Sequence, residues 1–332
     1  MDIIDLLGGA PHGSTVPNLE AELRAGLELY WNRAHIILDH SGVNLAAPGP
    51  NYYQLRHNFF SALFLLSFQR AGISPARRRC YVAVDQCLRG MVTGCDNILD
   101  NEYKMTLDTD LAGTRFRSIV DIMVSDRILF DILLDVHEQD AVPLELVRRA
   151  HAASLQALTR SGAQEASEEQ GIMTMLAPER ILEEIHHLKT GLLFQCVWAI
   201  PLVLEPEREP IAGPLSKALY RIGMGCQVLD DMVDLKADIA DRRHNYLASL
   251  IVHRAQDQDA AKAELARAVD SRTLLEGHPQ ARREATEQAL SYLGQGLRAL
   301  LGPDGEVLVP AAIHFLVQRI GAQDLLAQEH GS

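Results

Sequence analysis

The first chemistry this sequence offers lies in carboxylates at helical spacing. In CDNILDNE, residues 95–102, Asp96 and Asp100 stand four apart, so on a helix both leave the same face. Asn97 sits beside the first, and Glu102 follows near the helix end. In QVLDDMVDLKAD, residues 227–238, Gln227, Asp230, Asp231, Asp234 and Asp238 fall along one stripe at steps of three or four. Like charges on successive turns destabilise an isolated helix. A positive partner is therefore expected, the more so because Val228, Leu229, Met232 and Val233 make the surroundings apolar. Carboxylates without neighbouring His or Cys suit hard cations, and Mg²⁺ keeps waters while bridging carboxylates to phosphate. The plain alternative for either cluster is a solvated acidic helix face. A third feature, HHLKTG at residues 186–191, enters the apolar run 192–200. Lys189 there either snorkels to water or contacts phosphate oxygens. His186 and His187 are assigned no role.

These residues need helices to carry them, and hydrophobic periodicity is helical nearly everywhere. It predicts helices at 17–41, 51–72, 75–102, 115–137, 143–163, 178–204, 209–238, 246–271, 280–301 and 306–328. Ser74-Pro75, Ala177-Pro178 and Val309-Pro310 put proline near helix starts. No alternating strand followed by a hairpin turn is present. The polar, poorly periodic segments are 161–170, 46–51 and 238–245; none is a glycine-serine linker, and no repeat is evident. The stretches 59–68 and 191–204 are apolar on most sides, as inner helices of a large bundle are. The expectation is one all-α domain over residues 1–332.

Composition narrows the partners. The 332 residues are 47% hydrophobic and 23% charged, which is globular rather than disordered. Against 44 acidic side chains stand 31 basic ones, for a net charge of −13, so no nucleic-acid partner is expected and anionic lipid is disfavoured. The five cysteines show no CxxC pair and are odd in number, which supports neither structural zinc nor a disulfide framework. The start MDIIDLLGGAPHGS has acids where a signal peptide has basic residues. The most apolar stretch, 191–204, is shorter than a membrane span and contains Gln195 and Pro201, so no integral membrane segment is expected. A cytoplasmic protein is the reading.

DNILD at 96–100, Lys189-Thr190 and CQVLDDMVD at 226–234 together resemble the class I isoprenoid synthase superfamily, specifically the trans-polyprenyl diphosphate synthases. The resemblance covers residues 50–250 and rests on order and spacing. It implies a single helical bundle, the isoprenoid synthase fold, around a central apolar cavity. Aspartates from two facing helices would hold three Mg²⁺ ions against the diphosphate of an allylic prenyl substrate. By that carry-over Asp96, Asp100, Asp230, Asp231 and Asp234 are metal ligands, and Lys189, Thr190 and Gln227 contact the diphosphate or metal waters. A homodimer is also implied.

The departures shape the expected activity. Asn97 replaces the family's second aspartate, and an amide is a poorer Mg²⁺ ligand. The N-terminal GKRxRP of chain-elongating members is reduced to YYQLRH at 52–57, keeping only Arg56. The arginine pair after the first motif is missing, with Lys104, Arg115 and Arg117 the nearest cations. The segment 234–250 instead looks like the second motif of squalene and phytoene synthases, with Arg243 and Tyr246 able to close over the diphosphate, a basic helix start capped after a loop being no weaker a reading of either. The leaning is therefore toward a terpene synthase, ionising the substrate and rearranging the cation beside candidate liners Phe59, Phe60, Phe194 and Trp198, though apolar core is the first reading of each. The low aromatic content of 5% weighs against this. The alternatives are a prenyltransferase adding the allyl group to isopentenyl diphosphate or another acceptor, and a non-catalytic partner subunit. Two expectations follow: Asp231→Ala abolishes turnover with little loss of folding, and Asn97→Asp preserves or improves metal affinity.

Overall fold

The computed structural model describes residues 19–101, 103–267 and 270–326. Helices account for nearly all of its regular structure, and the β-structure among the described residues is an isolated bridge between Leu45 and Thr109. The chain forms two compact units, one from the described residues to 162 together with 195–216, the other from 163–194 with the described residues after 216.

In the first unit α1 (Leu19–Leu38), α2 (Phe59–Arg70) and α4 (Thr114–Asp140) pack about α3 (Pro75–Leu99), and α5 (Leu144–Ser167) follows, its last residues from 163 belonging to the second unit. Leu19, Leu23, Leu27, Tyr30, Ala34 and Leu38 recur every three or four residues along α1 and are all buried. Each fully buried leucine contributes roughly 1.5–3 kcal/mol. Gly26 lets α1 close on α3, since a Cβ there would lie 2.5 Å from Val82. The expectation of an inner helix at 59–68 is met: Phe59, Ala62, Leu63, Leu65, Leu66 and Phe68 leave α2 buried on nearly every side. Ser74 accepts from the Arg77 amide and Pro75 opens α3, as the proline punctuation predicts.

α6 (Pro178–Leu204) and α7 (Glu209–Val233) each begin in one unit and end in the other. Helical structure from Pro178 makes α6 long and apolar enough, by length and composition alone, to cross a membrane, which the 191–204 stretch is not. The same helix carries Glu183, Glu184, His187 and Lys189 and buries His186 against Asp231. The second unit continues through α8 (Leu235–Ala240), α9 (Tyr246–Arg254), α10 (Gln258–Arg267), α11 (Ser271–Gly277), α12 (Pro279–Leu301), α13 (Val309–Ile320) and α14 (Gln323–Leu326). α12 packs against α9, α11 and α13.

Four predicted helices are broken, those at 51–72 and 246–271 by local polar chemistry and that at 306–328 at Gly321, whose φ is 88°. Residues 51–58 are a short 3₁₀ turn and loop in which the Asn58 amide donates to the Tyr52 and Gln54 carbonyls, so α2 starts at Phe59. The predicted 209–238 helix breaks at Asp234. The predicted 246–271 helix becomes three elements, because Asp257 accepts from the amides of Asp259 and Ala260 and Asp270 accepts from that of Thr273.

Candidate active site

Within the second unit, α6 and α7 run antiparallel in a register that the sequence sets every four residues. Residues 181–191 of α6 are π-helical, an uncommon conformation that recurs at functional sites. His186 faces Asp231, Thr190 faces Gln227 and Phe194 faces Gly223. The last step permits the first two, because a Cβ on Gly223 would stand 2.8 Å from the Thr190 carbonyl and 2.9 Å from the Phe194 ring. Two glycines therefore let the helices meet: Gly191 likewise has Tyr220 ring atoms 2.4 Å from where its Cβ would be.

Asp231 is the hub. His186 Nε2 donates to its Oδ2 at 2.9 Å, the Tyr246 amide donates to the same oxygen at 2.5 Å, and Gln227 Nε2 donates to Oδ1 at 3.0 Å. A carboxylate only accepts, so the His186 hydrogen is on Nε2. The side chains of His186 and Asp231 are 1% and 3% exposed. Burial works to raise the Asp231 carboxyl, but the His186 ring, the Tyr246 amide and Gln227 together hold it below the usual range. Thr190 donates to Gln227 Oε1 and completes the chain. Asn245 Nδ2 donates to the Asp231 carbonyl at 2.7 Å and to Asp238 Oδ2 at 2.8 Å, while its Oδ1 caps α9 at Ala248.

The other acids are disposed differently. Asp230 and Asp234 are exposed and Asp238 is half-buried. Although the Asp230 side chain reaches solvent, the protein packed around its carboxyl, then the like charges of Asp234 and Asp231, push it up to about 6. Burial, then Asp231, push Asp238 up to about 7. Lys189 sits 3.2 Å from Glu165. Burial works to lower its pKa, but Glu165, Asp231 and Asp238 outweigh that and hold it protonated.

Arg243 lines a neighbouring cleft with Arg242. Tyr246 is buried; burial first, then the charges of Glu284 and Glu179, push its phenol up to about 12, while its backbone amide serves Asp231. Phe194 is half-buried against Gly223.

In the first unit Asp96 is half-buried and Asp100 is exposed at the end of α3. Asn97 between them is buried, its Nδ2 donating to the Lys104 carbonyl at 3.0 Å and its Oδ1 accepting from the Lys104 amide at 2.7 Å. It pins the loop after α3. Arg56 is exposed, Phe60 half-buried, and Phe59 and Trp198 are core. Arg115 donates to Asn101 Oδ1 and Arg117 to the Leu111 carbonyl. Glu102 lies outside the described residues.

Sequence reasoning missed His186, Glu165 and the role of Asn97. The signal for His186 was present: His186 and Thr190 are four apart, as are Gln227 and Asp231, the matching spacing of two facing helix stripes.

Every donor in the acidic set is oxygen, the chemistry of Mg²⁺ or Ca²⁺. Among the described residues no three His, Cys, Asp or Glu side chains converge on a closed metal cage. Mg²⁺ shared with a diphosphate needs only one or two carboxylates and keeps its waters, so the residues fit that use.

No family model matches the chain, and no curated protein matches it by sequence. Solved structures do. A polyprenyl synthase from Caulobacter crescentus CB15, solved with calcium and isoprenyl diphosphate, aligns over 96% of this chain and 98% of its own with a TM-score of 0.63 at 15% identity. An octaprenyl pyrophosphate synthase from Helicobacter pylori aligns over 90% and 99% with a TM-score of 0.58 at 13% identity. A geranylgeranyl pyrophosphate synthetase from the archaeon Geoglobus acetivorans aligns over 90% and 93% with a TM-score of 0.54 at 20% identity. The chain has the all-α isoprenoid synthase fold of these proteins.

Proposed function

We propose that this chain is a Mg²⁺-dependent enzyme acting on an allylic prenyl diphosphate, and that it transfers the prenyl group to an acceptor. The observation that carries the reading is the three-step register of α6 and α7, which fixes protonated Lys189 beside the carboxylate stripe. The solved relatives are synthases that build prenyl chains, so they favour prenyl transfer over the terpene synthase expected from sequence. The alignments span nearly the whole chain, which supports treating both units as parts of one domain.

On this reading Asp230 and Asp234, with Asp96 and Asp100 of the first motif, are the metal ligands, directly or through water. Bound Mg²⁺ would neutralise the departing diphosphate. Lys189 would leave Glu165 to meet diphosphate oxygens, a charge-assisted contact that strengthens as the leaving group gains charge. Gln227 and Thr190 would hold the diphosphate or metal waters from the same face. Asp231 takes a different part: its oxygens are already engaged by protein donors, so it fixes the geometry of its neighbours. The unpaired cysteines are in keeping with the cytoplasmic setting expected from sequence. The homodimer implied by the resemblance would use the exposed stripe Phe116, Ile119 and Met123 on α4.

A second reading, terpene synthase, draws on the first unit: Arg115 and Arg117 are turned to the Asn101 side chain and the Leu111 carbonyl, and Arg56 is the sole remnant of the N-terminal cations. Pyrophosphate release separates the two. Geranyl, farnesyl and geranylgeranyl diphosphate are supplied singly, with and without Mg²⁺ and isopentenyl diphosphate, and organic extracts are analysed. Mg²⁺-dependent release requiring isopentenyl diphosphate and giving a longer prenyl chain supports transfer. Release without it, giving a hydrocarbon or alcohol, moves the assignment to a terpene synthase. Inertness with every substrate, combined with altered product length on mixing with an active synthase, moves it to a partner subunit.

A further inference from the structure

The polar stretch at 161–170 carries no periodic signal, yet α5 runs on into it as far as Ser167 and so places Glu165 on its last turn, with Glu168 just beyond. A helix dipole opposes acids at its C-terminal end, so carboxylates there gain from a positive or donating partner. Both have one. Glu165 Oε1 lies 3.2 Å from Lys189 Nζ, with both side chains half-buried. Glu168 accepts the His244 backbone amide at 2.8 Å and the Gln164 side-chain amide at 2.8 Å.

The segment that follows is fastened elsewhere. The Ile172 amide donates to the Arg242 carbonyl at 2.7 Å, the Arg242 guanidinium to the Ile172 carbonyl at 2.8 Å, and the Ser249 hydroxyl to the Leu176 carbonyl at 2.6 Å. None of these bonds passes through Glu165, so its carboxylate can swing off Lys189 while the segment stays in place. Lys189 keeps its charge when that happens, because Asp231 and Asp238 also oppose the effect of burial. A half-exposed ion pair holds weakly, whereas a diphosphate brings more charge and more oxygens to the same ammonium.

We propose that Glu165 is the resident counter-anion of Lys189, displaced by an incoming diphosphate and returning to the ammonium as pyrophosphate departs. The inference rests on the reading of Lys189 as a diphosphate contact, and it makes Glu165 a positioning residue that acts through Lys189. By competing for the ammonium, Glu165 keeps pyrophosphate from holding the site after the reaction, a step that limits many enzymes.

The test is titration calorimetry on the full chain with Mg²⁺, using inorganic pyrophosphate as the probe. Glu165→Gln keeps the side-chain shape and removes the charge, and it should tighten pyrophosphate binding about threefold or more. A gain in affinity is a result that mere structural damage does not give. Glu168→Gln removes an equal charge close by and keeps an oxygen for the His244 amide, so its gain should stay below about twofold. Lys189→Met should weaken binding, and adding Glu165→Gln to it should bring no gain. Unchanged affinity in Glu165→Gln, an equal gain in Glu168→Gln, or a gain that persists in the Lys189→Met background would each overturn the proposal while leaving the diphosphate site standing. Absence of Mg²⁺-dependent pyrophosphate binding in the wild type and Glu165→Gln alike would overturn the reading of Lys189 itself, and the proposal with it.

Discussion

Replacing Asp231 with alanine tests whether this residue holds the fold or only holds metal. The sequence made it one member of an acidic stripe, whose removal should relieve repulsion and leave folding intact. The structure makes it the shared acceptor of three donors. Without it, His186 Nε2 and the Tyr246 amide are left buried without a partner, while Gln227 keeps a long contact to Asp230 at 3.4 Å. An unsatisfied buried donor costs about 1–3 kcal/mol, and two are left. The expected loss is therefore about 4 kcal/mol. With an unfolding entropy of about 2.1 cal/mol/K per residue, or about 0.7 kcal/mol/K for 332 residues, that lowers Tm by about 6 °C. The control is Asp234→Ala, at an exposed position, which should move Tm by about 1 °C or less while reducing turnover. Differential scanning calorimetry at pH 7 without divalent cations reads both. The folded Asp231 carboxyl is held below its unfolded value, so its stabilisation is present above about pH 4 and fades as pH falls through the folded value. The wild-type and Asp231→Ala melting curves should accordingly converge on the acid side. An unchanged Tm in Asp231→Ala at pH 7 would refute the hub.

Three other outcomes follow from the same kind of accounting. Asn97→Asp removes the donor to the Lys104 carbonyl and sets a carboxylate against it, so it should cost about 1–3 kcal/mol in denaturant unfolding, a cost the expectation about metal affinity did not include. Asp85, on the buried face of α3, has its carboxyl raised to about 7 by burial, opposed by Ser61 and Arg89. Its contribution to stability is full below about pH 4 and is lost as pH rises through about 7; about three pH units correspond to about 4 kcal/mol. Asp85→Asn should therefore raise Tm at pH 8 and leave it unchanged at pH 4, and equal effects at both would show that Asp85 does not titrate in this range. Phe116→Glu with Met123→Glu should convert a dimer to a monomer in sedimentation velocity without lowering Tm; a wild-type chain that is already monomeric removes that surface from consideration.

What was legible in the sequence was local. Apolar spacing of three and four and prolines at helix starts located most helices, because both signals act within a turn or two. The misplaced ends lie where a side chain reaches the backbone two to six residues away, as Asn58, Asp257 and Asp270 do, and such contacts compete with helix continuation without disturbing the apolar period. At the candidate site the stripe was visible but its division of labour was not. Asp230 and Asp231 are neighbours of the same type near the end of α7, with Asp234 at its break, and Asp231 is set apart by partners 14 to 45 residues away in sequence: the His186 ring, the Tyr246 amide and Asn245. Asn97 misled for the same reason, since its partner lies seven residues on, across the end of α3. A motif records which side chains a helix carries. It does not record which of them are already spent on protein donors, as Asp231 is on His186, Gln227 and the Tyr246 amide.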